Sequence, residues 1–211
     1  MLDGRRDVMK KWLEKLMRPE RSATITLHPT PALAQDAAMS LLDYADRKNC
    51  PGGEVFTSPV EDAVNGFIRF SYPVLHQDRE IRDVRLWFER GRVVRAEAES
   101  GQAYLDEMLR LDEGARHLGE LAIGTNRGVT RFTGNVLFDE KIAGTCHLAV
   151  GRGFANLGSR NESAIHIDMV CDLKTDSRLS ADGKGFYQDG ECTISEGAAR
   201  AALSGPASRP R

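Results

Sequence analysis

The chain has 211 residues, 41% hydrophobic and 28% charged, with a formal net charge of -2. That length gives one large domain enough apolar material for a core. Charge this balanced, with no basic block, makes nucleic acid and anionic membrane poor partners.

Asp3 to Met17 reads as an amphipathic helix, with Val8, Met9, Trp12, Leu13 and Leu16 on one stripe and Pro19 beyond its end. Ala23–Leu27 follows as a short strand. Thr30-Pro31 then gives an N-cap with proline at the first helical position, opening a second helix that runs to about Arg47. After the turn Lys48–Gly53 the chain changes character. Glu54–Thr57, Asn65–Tyr72, Val84–Phe88 and Val93–Glu97 are strand-like, and Arg90-Gly91 supplies a hairpin turn between the last two.

A helix is expected around Tyr104, Leu105, Met108, Leu109 and Leu111, and a further helical turn from Asp112 to Leu118, with Leu121–Gly124 extended. Glycine-rich turns then separate strands at Val136–Phe138, Cys146–Val150 and Ile165–Val170. A final hairpin pairs Arg178–Ser180 with Phe186–Thr193, and the tail after Glu196 has little to pack. Strands that outnumber helices and are joined by short hairpins predict an α+β domain, mainly antiparallel β-sheet with short N-terminal helices. No apolar run approaches a membrane span and Met1-Leu-Asp-Gly-Arg-Arg has no signal-like h-region. Cys50, Cys146, Cys171 and Cys192 form no C-x-x-C pair, which argues against a thiolate zinc site and a disulfide framework. A cytoplasmic location is the expectation.

The chemistry gathers at Cys146–Asp168. In the strand around His166-Ile167-Asp168, side chains two apart share a face, so the imidazole and carboxylate project together. Ile165, Ile167 and Met169 take the other. Such a pair can hold a metal ion or simply share a hydrogen bond, and the rest of the chain has to supply further ligands. Cys146 and His147 are adjacent in a strand and face opposite ways, so they make no nucleophile–base pair. The Gly151-Arg-Gly-Phe154 loop lacks the helix and lysine of a phosphate cradle and reads as a plain turn.

Four segments, in register, carry a resemblance. They are Pro51-Gly-Gly-Glu54-Val-Phe-Thr-Ser-Pro59, Leu118-Gly-Glu120-Leu-Ala-Ile-Gly124, Leu137-Phe-Asp-Glu-Lys-Ile-Ala-Gly144 with Cys146-His147, and Asn161-Glu-Ser with Ile165-His166-Ile-Asp168-Met-Val170. Together they resemble the M29 metallo-aminopeptidases, the aminopeptidase T group, over about Cys50 to Gly190. The resemblance implies metal ligands at Glu54, Glu120, His147, His166 and Asp168, with Glu54 or Glu120 also catalytic as the general base. It implies two divalent ions, zinc, cobalt or manganese, a peptide substrate and a homodimer. Two imidazoles and three carboxylates without a thiolate suit such ions, and five ligands suit a two-metal hydrolase.

The same resemblance divides the chain into 1–48, the remnant of an N-terminal helical region, 49–195, the metal-binding catalytic-type domain, and 196–211, a flexible tail. Relative to the family the chain is expected to be truncated before the glutamate motif. It also carries Phe154 where the family has a tyrosine, which removes a hydroxyl associated with the tetrahedral intermediate. Those two departures keep a second expectation alive, a non-catalytic β-rich binding or dimerisation module descended from the peptidase.

Overall fold

The computed structural model describes residues 52–181 and 183–193. Both helices expected before Arg47, and the tail after Glu196, lie outside these residues. One compact unit ends at Asp172 and a second begins at Leu173.

The first unit is built on a four-stranded sheet of order β1-β7-β8-β9. Its strands are β1 (Glu54–Thr57), β7 (Leu118–Gly124), β8 (Thr145–Gly151) and β9 (His166–Asp172). All neighbours are antiparallel. A three-stranded sheet of order β2-β5-β6 uses β2 (Gly66–Arg69), β5 (Arg85–Glu89) and β6 (Arg92–Glu97). Arg90 and Gly91, both at positive φ, make the expected turn between β5 and β6. Helix α1 (Gln102–Leu109) follows, then a 3-10 turn at Glu113–Arg116. The mainly antiparallel α+β architecture expected from the strand pattern is the one observed.

The core forms where one face of the large sheet meets the small sheet and α1. Leu118, Val150, Ile165, Ile167 and Met169 pack with Val84, Leu86, Phe88 and Val93, and with Leu105, Met108 and Leu109 of the helix. Ile167, Met169 and Cys171, two apart in β9, all reach this layer, as period-2 patterning requires. Burial of this layer is what fixes the large sheet, because a one-residue slip would send its apolar set to the opposite face. The edge of β9 is engaged in turn: Ser71 N–H donates to the Val170 carbonyl at 3.2 Å, and Tyr72 Oη donates to Asp172 Oδ2 at 3.0 Å.

Three readings of the chain differ locally. Val136–Phe138, expected to be extended, is a helical turn, α2 (Val136–Asp139). Asn135 Oδ1 accepts from Leu137 N–H, and the Asp139 carboxylate accepts from both the amide and the hydroxyl of Thr133. These side-chain bonds reward a cap and turn over a strand. A hairpin of β3 (Val74–His76) and β4 (Arg79–Ile81) also stands where no strands were assigned, turned by Gln77 and Asp78 at positive φ. The second unit is a three-stranded meander of β10 (Arg178–Ala181), β11 (Lys184–Gln188) and β12 (Glu191–Cys192). The second arm of the expected hairpin is broken by Asp189-Gly190, both at positive φ, into β11 and β12. Among the described residues, no helix is long and apolar enough to cross a membrane.

Candidate metal centre

The register of the large sheet decides which side chains meet. Phe56, Ala122, His147 and Val170 lie in one cross-strand row, and Glu120, Ala149 and Asp168 in the next row on the same face, two residues along. Glu54 pairs with Gly124 on one side of those rows, and His166 with Gly151 on the other. Since residues in a row share a face, Glu54, Glu120, His147, His166 and Asp168 all project from the face opposite the core. Ala122 and Ala149, both fully buried, stand between the donors and leave space there for long side chains.

Glu120 reaches that face because of a bulge. Leu118 pairs with Val150 on the core face, whereas Glu120 pairs with Ala149 on the donor face, and the register shift between them leaves Gly119 as the extra residue. Two residues that alternation would put on one side thus serve opposite sides. Glycine is required at the bulge, since a Cβ there would lie 2.3 Å from the Arg152 carbonyl oxygen and 2.5 Å from that of Gly151.

The donors converge closely. His147 Nε2 lies 3.4 Å from Glu54 Oε2 and 3.7 Å from Glu120 Oε1. His166 Nε2 lies 3.0 Å from Glu120 Oε2 and 3.5 Å from Asp168 Oδ1. His166 Nδ1 is 2.7 Å from the Arg152 carbonyl oxygen and donates to it, which orients the ring and turns Nε2 toward the carboxylates. All five residues selected from the sequence are therefore brought to one place. Two others join them. Glu140, just past α2, forms a compact donor group with Glu54 and His147, beside a second group of Glu120, His147 and Asp168. Lys141 lies between carboxylates, with Nζ 2.7 Å from Glu54 Oε1 and a contact to Glu140 Oε1.

Glu140 and Lys141 were part of the segment that carried the resemblance, but nothing in a D-E-K run distinguishes a buried cluster from an exposed turn. Their signal is in the flanking pattern: Phe138 and Ile142 are buried on either side, so the turn between them is enclosed.

So many acids in one buried place perturb one another. Burial pushes the Glu140 carboxyl up to about 7, with the negative charge of Asp168 adding to it. Burial also opposes charge on Asp168, but His166 outweighs it and holds the carboxyl down at about 2. Burial likewise opposes charge on His166, yet Asp168 and Glu120 raise its pKa well above the ordinary imidazole value. His147 is raised too, its desolvation being exceeded by the pull of Glu120, Asp168 and Glu140. A cluster that demands positive charge in this way is one that a cation satisfies.

The fit to a metal can be judged from the donors. His147 is wholly buried and neither of its ring nitrogens makes a hydrogen bond; Asp168 Oδ1 is buried in the same condition. Leaving such atoms without partners costs roughly 1–3 kcal/mol each, and coordination to a cation would recover it. Imidazole and carboxylate donors at these spacings suit a borderline divalent ion. Among the described residues no cysteine takes part: Cys146 projects from the core face beside its cross-strand neighbour Cys171.

Aromatic rings wall the cluster. The Phe154 ring stands edge-on to His166 with centroids 5.5 Å apart and packs on Phe56 at 5.1 Å. Phe154 N–H donates to Ser58 Oγ, and Ser58 Oγ–H donates to the Gly119 carbonyl, which ties this loop to the bulge. The position at which the missing hydroxyl was expected therefore does adjoin the donor face.

Comparison with known proteins places the chain in a family. The family model for thermophilic metalloproteases (M29) matches residues 47–192. Aminopeptidase 2 of Geobacillus stearothermophilus is 35% identical over 169 residues, which cover 70% of this chain and 40% of that protein. Aminopeptidase T of Thermus thermophilus is 35% identical over 161 residues, covering 69% and 38% respectively. The solved structure of wild-type AmpT from Thermus thermophilus superposes with a TM-score of 0.61 at 30% identity, covering 69% of this chain and 41% of that one. A 2,5-dihydroxypyridine dioxygenase from Pseudomonas putida KT2440 shares the fold at a TM-score of 0.55 and 17% identity. The chain spans about two fifths of the length of the curated relatives it matches.

Proposed function

Since this chain belongs to the M29 family of thermophilic metalloproteases, we propose that it is a metal-dependent aminopeptidase, hydrolysing the first peptide bond of a peptide with a free amino end. The observation that carries the reading is His147: a fully buried imidazole, both nitrogens without hydrogen bonds, facing the carboxylates of two other strands. The ligand set is Glu120, His147, Asp168 and His166, with Glu54 and Glu140 as the second group around His147. A divalent ion of zinc, cobalt or manganese bound there supplies a water of lowered pKa and a Lewis acid for the scissile carbonyl.

The chain's own residues do the rest. The Arg152 carbonyl holds His166 by its Nδ1–H and keeps Nε2 directed at the cluster. Proton transfer falls to Glu54 or Glu120. Glu54 Oε1 is engaged by the Lys141 ammonium at 2.7 Å, which favours Glu120 as the group that accepts the proton of the attacking water. Phe154 and Phe56 line the His166 side and offer an apolar surface to a substrate side chain. The family resemblance also leads us to include a homodimer in this reading, which sedimentation of the full chain would test.

Phe154 brings no hydroxyl to the oxyanion, and that favours a second reading, a binding module with an intact but non-hydrolytic metal centre. One experiment separates the two. The full chain is loaded with zinc, cobalt or manganese, its metal content measured, and aminoacyl-p-nitroanilides offered. Metal-dependent release of nitroaniline supports the peptidase; bound metal with no turnover of any of them supports the module. A chain that takes up no divalent ion defeats both.

A further inference from the structure

We infer that the ammonium of Lys141 is the resident cation of the Glu54–Glu140–His147 group, so that the chain takes one divalent ion, at Glu120, His147, His166 and Asp168, and not two. The inference rests on the metallopeptidase reading and specifies how many ions that centre holds.

The Lys141 side chain is 1% exposed, and its Nζ bonds to Glu54 Oε1 at 2.7 Å and to Glu140 Oε1. These are the two carboxylates of the group. A divalent ion would need oxygens of both at roughly 2.0–2.2 Å, and thus the volume and the lone pairs that the ammonium already uses. Lys141 is also not free to drift in from a loose loop. Its carbonyl accepts from Asn126 N–H at 2.9 Å, and the Asn126 carbonyl accepts from Ala143 N–H at 3.1 Å. The Asn126 side chain donates to the Gly52 carbonyl at 2.8 Å, and Thr125 N–H to that of Gly53. One residue therefore clamps the turn bearing Lys141 to the backbone that leads into Glu54.

Charge agrees with this arrangement. Four carboxylates, Glu54, Glu120, Glu140 and Asp168, line the centre. One divalent ion with the ammonium brings three positive charges against them; two ions with the ammonium retained would bring five, one of them buried beside a like charge. Expelling the lysine instead would break two charge-assisted bonds and move a long side chain out of an enclosed site. The second cation of the centre is thereby supplied by the polypeptide, permanently and without dependence on metal supply.

The test is stoichiometric. The metal-free full chain is titrated with zinc alone, and bound zinc is counted by elemental analysis after gel filtration; manganese loading with electron paramagnetic resonance distinguishes isolated from exchange-coupled ions. The wild type should bind about one ion per chain, and Lys141→Met about two, with a coupled manganese signal. Glu54→Gln should stay at about one ion, because its carboxylate serves the lysine; it reports even if Lys141→Met fails to fold. Two ions in the wild type, falling to one in Glu54→Gln, would overturn the inference while leaving the peptidase reading standing. So would a folded Lys141→Met that still binds one. No zinc in the wild type would remove the metallopeptidase reading itself.

Discussion

Gly119→Ala is the most demanding test of how the donor face is built. A Cβ at this position would lie 2.3 Å from the Arg152 carbonyl oxygen, 2.5 Å from that of Gly151 and 2.6 Å from the Arg152 carbonyl carbon. Ordinary contact lies near 3.5 Å, so β7 and the Arg152 loop must part by on the order of 1 Å. All three obstacles are backbone, and no side-chain rotation relieves them. Arg152 cannot retreat cheaply, since its amide donates to the Ile165 carbonyl at 2.7 Å while its carbonyl holds His166. Overpacking of this kind costs about 1–3 kcal/mol, and loss of one buried hydrogen bond adds about 1 kcal/mol. The expected total of about 2–4 kcal/mol corresponds to a fall in Tm of roughly 10 °C for a chain of this size. Release of His166 from its carbonyl should weaken metal binding about 10–100-fold. Thermal denaturation of the EDTA-stripped protein and calorimetric zinc titration measure the two effects separately. Unchanged zinc affinity together with a Tm within about 2 °C of wild type would mean that the bulge neither is as tight as argued nor positions the imidazole.

Three further outcomes are expected. Phe154→Tyr should raise peptidase turnover by up to about 100-fold if the hydroxyl reaches the oxyanion; initial rates on an aminoacyl-p-nitroanilide decide it, and an unchanged kcat would show that the ring serves only to cover His166. His166→Ala should weaken zinc binding by at least about 10-fold while the metal-free far-ultraviolet circular dichroism stays as in the wild type; unaltered zinc affinity would take this imidazole out of the ligand set. His76, bonded to Tyr104 Oη at 2.6 Å, has its pKa lowered by burial. The unfolded ring, titrating near 6.5, binds the extra proton first, so this contribution to stability is full at neutral pH and declines as pH falls through the window below 6.5. Comparing urea midpoints of wild type and His76→Gln at pH 7.5 and 5.5, both without metal, isolates it from the oppositely shifted His147 and His166. A wild type that loses no more stability than the variant would contradict the sign.

Much of the donor face was legible because it obeys the simplest periodicity. His166 and Asp168 lie two apart in a strand whose intervening Ile167 is core, and alternation alone gives them a common direction. That Glu54, Glu120 and His147 join them rested on the resemblance, since strand order and register depend on contacts distant in the chain. The bulge illustrates the limit. Leu118 and Glu120 are also two apart, and the same alternation rule would have put both on one side; only the close approach of Arg152 to Gly119 shows otherwise. Val136–Phe138 was misread because three consecutive apolar residues carry no period, and the decisive bonds come from Asn135 and Asp139 at its ends. Lys141 was overlooked for a different reason. A lysine next to a glutamate in a turn is ordinarily solvated, and its burial follows from the packing of Phe138 and Ile142, not from its own character.

The small residues Ala122 and Ala149, set among donors borne on successive strands, carry an implication for how such a centre changes over evolution. Hydrogen-bonded ladders hold neighbouring strands at a nearly constant pitch of about 4.8 Å, so the anchor points behave like positions on a fixed grid. Shortening one arm, as in Glu120→Asp, would withdraw its oxygen by one methylene while every other anchor stays put. Ion preference could then be retuned one tether at a time, with the scaffold indifferent to the exchange.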